Sequence, residues 1–124
     1  MQVKTDTKEK FHVIKVEESS LPADMAANLS DLLASYLQND VRNIILNLKE
    51  LKNIDEATGE MLVKTQQKFY DNNASFVICE MQKPVEEFLD SVNLLEMMNS
   101  TPTQSEASDI VQMEEIEREL MDDV

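Results

Sequence analysis

The segment Asp55-Glu56-Ala57-Thr58-Gly59 is where the sequence comes nearest to a site. It follows an apolar run, Ile44-Ile-Leu-Asn-Leu48, and a polar loop through Asn53, and it opens a helical pattern. Two carboxylates therefore stand where a helix N-terminus leaves backbone N–H groups unpaired and carries partial positive charge. Such a place favours an anion or a phosphorylatable group, so a regulatory site is expected here.

The remaining chemistry is sparse. His12 is the only histidine and falls on the polar phase of an alternating strand, so a solvent-facing ring is expected and a triad or histidine-rich metal site lacks its parts. Cys79, the only cysteine, lies within Ser75-Phe-Val-Ile-Cys79, which implies a buried, inert thiol and excludes an internal disulfide. With one glycine in the chain, Gly59, no glycine-built phosphate loop is available. Adjacent acids such as Asp55-Glu56 and Glu86-Glu87 say little in a chain with 25 of them. No cofactor, no metal and no enzymatic activity are expected.

The elements that must position the segment are readable from periodicity. Phe11–Val16 alternates as a half-buried strand, and Gln2–Thr7 pairs with it as an opening hairpin through a turn at Asp6–Glu9. Pro22 and Asp24 start a helix over about Ala23–Asn39, and Val41–Leu48 is too densely apolar for a surface edge. A helix over Ala57–Asp71 ends at Asn72-Asn73 and is followed by the strand Ser75–Cys79. Pro84 begins a short helix to Val92, and Leu94–Ser100 supplies a short last strand or an irregular edge. Thr103-Gln-Ser-Glu106 is a capping-box pattern that starts an acidic final helix over about 103–121.

Strands alternating with helices predict a small α/β sandwich: a mainly parallel sheet of four or five strands, opened by a β-hairpin, with about four helices and right-handed crossovers. At 124 residues the expectation is a single domain, 1–124, that buries roughly two thirds of its unfolded surface. Net charge is −14, from 25 acidic against 11 basic residues, which disfavours nucleic acid as a partner. Half of that charge comes from 101–124, where eight acids face Arg118 alone; such a run is ordinarily a solvated face. No signal-peptide pattern opens the sequence and no apolar run approaches a membrane span, so a soluble, cytoplasmic protein without membrane insertion is expected. Among the eight methionines, Met97-Met98, Met113 and Met121 suit an adaptable binding surface, although methionine at helical spacing is more often core filler.

This order of elements, together with Val41-Arg-Asn-Ile-Ile-Leu-Asn-Leu-Lys-Glu-Leu-Lys-Asn-Ile-Asp55, resembles the STAS domains, named for sulphate transporters and anti-sigma-factor antagonists. Met113-Glu-Glu-Ile-Glu-Arg-Glu-Leu120 is similar to the ending of small stand-alone members from the Bacteroidetes group of bacteria. The resemblance implies a protein–protein interaction module that binds an anti-sigma factor that is also a serine kinase. It also implies Asn53, Asp55, Glu56, Ala57, Thr58 and Gly59 as the partner-binding residues.

In the family pattern Asp-Ser-Ser/Thr-Gly, the first hydroxyl residue is phosphorylated and the modification breaks the complex. Here Asp55 matches the aspartate, Glu56 holds the phospho-acceptor position, Ala57 replaces the second hydroxyl residue and Thr58 stands where glycine is expected. A register shifted onto Thr58-Gly59 makes Thr58 the alternative acceptor. Three roles for Glu56 follow: a permanent imitation of phosphoserine, whose charge is ~1.5 to 2; a contact to a different partner; or stabilisation of the helix start by several tenths of a kcal/mol. The competing class is a scaffold subunit of a signalling complex, without phospho-switching.

Overall fold

The computed structural model describes residues 1–122. Strands β1 (Val3–Thr7) and β2 (Phe11–Val16) form the antiparallel hairpin, with Val3 opposite Val16 and Thr7 opposite His12. β3 (Asn43–Asn47), β4 (Phe76–Cys79) and β5 (Ser100–Thr101) add in parallel, giving the order β1-β2-β3-β4-β5. Four helices complete the fold: α1 (Ala23–Ser35), α2 (Glu56–Asp71), α3 (Lys83–Ser91) and α4 (Gln104–Asp122). Thr103 caps α4 as the sequence pattern implies, its Oγ1 accepting from the Glu106 amide at 3.2 Å.

Alternation along each strand divides the core between two faces. Ile14, Ile44, Leu46, Phe76 and Ile78 pack against α1, α2 and α3 through Leu29, Leu33, Leu62, Phe69, Val85 and Leu89. Phe11, Val13, Ile45, Val77 and Cys79 pack on the other face against Ala107 and Val111 of α4. The apolar centre of β3, Ile44–Leu46, and the whole of β4 are continuous for this reason, because neither face of these strands meets water.

Three expectations are corrected. β2 is covered on both faces, so its alternation does not mark a wet side. His12 is buried, not solvent-facing: its Nε2 donates to the Val41 carbonyl at 3.1 Å and its Nδ1 lies 2.9 Å from the Thr7 hydroxyl, with the ring 4.6 Å from that of Tyr36. The first helix closes at Ser35 and tightens into a 3-10 turn over Tyr36–Gln38 instead of continuing to Asn39.

Cys79 is fully buried, and that burial pushes its thiol up to about 12. Replacing it with serine is expected to lower stability by about 1–3 kcal/mol, because a hydroxyl is buried against apolar neighbours. Urea unfolding measures the loss. A native thiol that reacts rapidly with a disulfide reagent at neutral pH contradicts the assignment.

Candidate functional site

The loop joining β3 to α2 sits at the C-terminal ends of the parallel strands, the usual place for sites in open α/β sheets. Its shape is fixed from beneath. Leu51 is fully buried and Ile54 nearly so, while the Lys52 amide donates to the Ser19 carbonyl at 2.8 Å. Gln82 Nε2 donates to the Lys49 carbonyl at 2.7 Å, and the Leu51 amide to that of Leu48 at 3.1 Å. These ties leave Asn53, Asp55, Glu56 and Ala57 as an exposed rim on a rigid base.

Asp55 is the N-cap of α2, and its Oδ1 accepts from the Thr58 amide at 2.7 Å. That bond holds the Asp55 carboxyl below its ordinary range. Glu56 is the first helical residue, exposed beside the positive end of the helix. Since Asp55 already satisfies the Thr58 amide, the Glu56 carboxylate is available to another molecule.

The other two expected site residues point inward. Thr58 is 2% exposed and its hydroxyl donates to the Leu21 carbonyl at 3.3 Å, so a kinase reaches it only if the first turn of α2 opens. Gly59 is buried as well; a Cβ there would stand 2.8 Å from both Leu89 Cδ2 and Leu94 Cδ1. Its role is close helix packing.

A shallow groove of about 270 Å³ runs from this rim between α1 and α2, lined by Ser30, Ala57, Glu60, Met61, Lys64 and Lys68 among others. Sequence reasoning missed Ser30, Lys64 and Lys68. The signal was present for the two lysines, since Ala57, Met61, Lys64 and Lys68 are spaced to share one helix face. A larger cavity, about 480 Å³, lies beside Arg42, Asn43 and Arg118 at the opposite end of β3 from Asp55. Among the described residues no group of three His, Cys, Asp or Glu side chains is placed to hold a metal, and no helix is long and apolar enough to cross a membrane.

Asp55→Ala is expected to lower stability by about 1 kcal/mol through loss of the cap. Because the folded-state pKa lies below the unfolded value of about 3.9, the contribution is present above about pH 4 and lost as pH falls through the folded value. Melting curves across pH check this: the gap between parent and variant should narrow in acid. A gap independent of pH contradicts the cap.

A sequence model of the STAS domain matches residues 2–107. No curated protein sequence matches the chain. Among solved structures it is similar to TM1081 of Thermotoga maritima, at 19% identity over 89% of this chain and 94% of that one, with a TM-score of 0.73. It is also similar to an anti-sigma factor antagonist from Mycobacterium paratuberculosis, at 13% identity, 90% and 93% coverage and a TM-score of 0.76. The phosphorylated form of the Bacillus cell fate determinant SpoIIAA matches at 15% identity, 89% and 99% coverage and a TM-score of 0.64. At these identities the likeness is one of fold.

Proposed function

Since this chain belongs to the STAS domain family, we propose that it is a regulatory interaction module that binds an anti-sigma factor or serine-kinase-like partner through the exposed start of α2. In this reading Glu56 contacts the partner directly and fixes the surface in one charge state, so association does not depend on phosphate. The observation that carries it is the pairing of a spent and an unspent carboxylate: Asp55 is used by the Thr58 amide, and Glu56 is exposed one residue later. The groove beside Ala57, with Lys64 and Lys68 along it, extends the surface a partner can cover.

A binding role also suits the absence of catalytic motifs from the sequence, and the rigid loop lowers the ordering cost of association. The test is co-purification from the native cell, followed by amide exchange of this protein with and without the partner recovered. Protection concentrated at residues 53–57 and along the α1–α2 groove is the expected result. Protection confined to surfaces away from α2 overturns the proposal.

A further inference from the structure

The last turns of α4 are amphipathic in the opposite sense from its start. Ala107 and Val111 face the sheet and are fully buried. Beyond them the inward positions are polar: Glu114 Oε1 accepts from Ser75 Oγ at 2.6 Å and from the Tyr70 hydroxyl at 2.8 Å. Arg118 Nη2 lies 3.0 Å from Asn43 Oδ1, 3.0 Å from Ser75 Oγ and 2.9 Å from Glu115 Oε2. Asn43 also donates to Glu115 at 2.9 Å, which with Arg118 holds the Glu115 carboxyl below its ordinary range.

The aliphatic side chains of this stretch point away from the sheet instead. Met113, Ile116 and Leu120 are 54%, 57% and 62% exposed, and their spacing of three and four residues puts them in one row. A helix that needed only its own domain would turn such a row inward. Here the polar clamp to Asn43, Ser75 and Tyr70 holds α4 without it, so the row is presented on a fixed support. Exposed Glu106, Asp109 and Glu117 border it, and Glu119 beside them is paired with Lys10 at 3.5 Å.

We propose that this row is a docking surface for a basic amphipathic helix of a partner protein. The partner would lay its own aliphatic residues on Met113, Ile116 and Leu120, with lysine or arginine opposite Glu106, Asp109 and Glu117. Charge decides between occupants. A second copy brings the same acidic border and a net charge of −14 to a seam only three residues long, whereas a basic helix turns both features into attraction. The surface lies across the sheet from α2 and beyond residue 107, where the family match ends, so it does not depend on the reading of Glu56.

The experiment uses the full chain and a labelled synthetic peptide of about 20 residues, with leucines at helical a and d spacing and lysines flanking them. A control peptide has the same composition with its leucine positions scrambled. Fluorescence anisotropy at about 150 mM salt should give the patterned peptide an affinity at least about tenfold above the scrambled one. The Met113→Gln, Ile116→Gln, Leu120→Gln triple variant should lose that advantage while keeping the parent's circular dichroism and melting temperature, because all three residues are exposed. Equal binding of the two peptides, or unchanged binding by a folded triple variant, overturns the proposal. So does a dimer of the parent in sedimentation that the triple variant lacks, which would assign the row to a second copy.

Discussion

Phe69→Ala is expected to lower the unfolding free energy by about 4 kcal/mol. The ring is fully buried on α2 and meets that of Phe76 in β4 with centroids 5.2 Å apart and planes tilted by 51°. Truncation removes both the buried area and that aromatic contact, and leaves a void between helix and sheet that neighbouring leucines fill only in part. Domains of this size typically hold about 5–15 kcal/mol in all, so the variant should be marginal in mild urea but folded in buffer. Urea midpoints at unchanged slope give the figure. A loss under about 1 kcal/mol would mean that α2 does not dock through this ring.

The second large effect is chemical. Incubated with the kinase-like partner proposed for it and ATP, the parent is expected to take up no phosphate, while Glu56→Ser should take up one per chain by intact-mass measurement. The substitution puts a hydroxyl on the exposed rim, at the first residue of α2. It should change stability by less than about 1 kcal/mol, because serine is also tolerated at a helix start. Thr58 is not expected to substitute for it, since its hydroxyl is buried and donates to Leu21. Stoichiometric phosphate on Thr58 of the parent would show that the first turn of α2 opens readily and that the register placing Glu56 at the acceptor position is wrong.

The fold was legible where burial is total. Ile44–Leu46 and Phe76–Cys79 are continuous apolar runs, which suit strands covered on both faces, and the α3 and α4 starts carry Pro84 and Thr103 as local signals. Legibility failed where a period names a face without naming what covers it. In β2 both phases are buried, so His12 sits on the same face as Ile14. In α4 the helical spacing alone does not say which apolar positions are covered: Ala107 and Val111 face the sheet while Met113, Ile116 and Leu120 face outward. β5, two residues long, is too short to carry any period.

At the candidate site, the sequence marks out a segment but not its orientation. The N-cap role of Asp55 follows from residue type and position. That Thr58 and Gly59 turn inward depends on Leu21, Leu89 and Leu94, which are distant in sequence and come together only in the folded chain. Ser30 joins the groove for the same reason, through the packing of α1 on α2.

The direct test of the central claim is titration calorimetry of the parent and Glu56→Ser against the partner that co-purifies with the native protein. If Glu56 contacts that partner, the serine variant should bind at least about tenfold more weakly, equivalent to ~1.4 kcal/mol or more. Equal affinities would leave Glu56 with no role beyond the helix start. Tighter binding by the variant would contradict the direct contact and make Glu56 a standing imitation of phosphoserine.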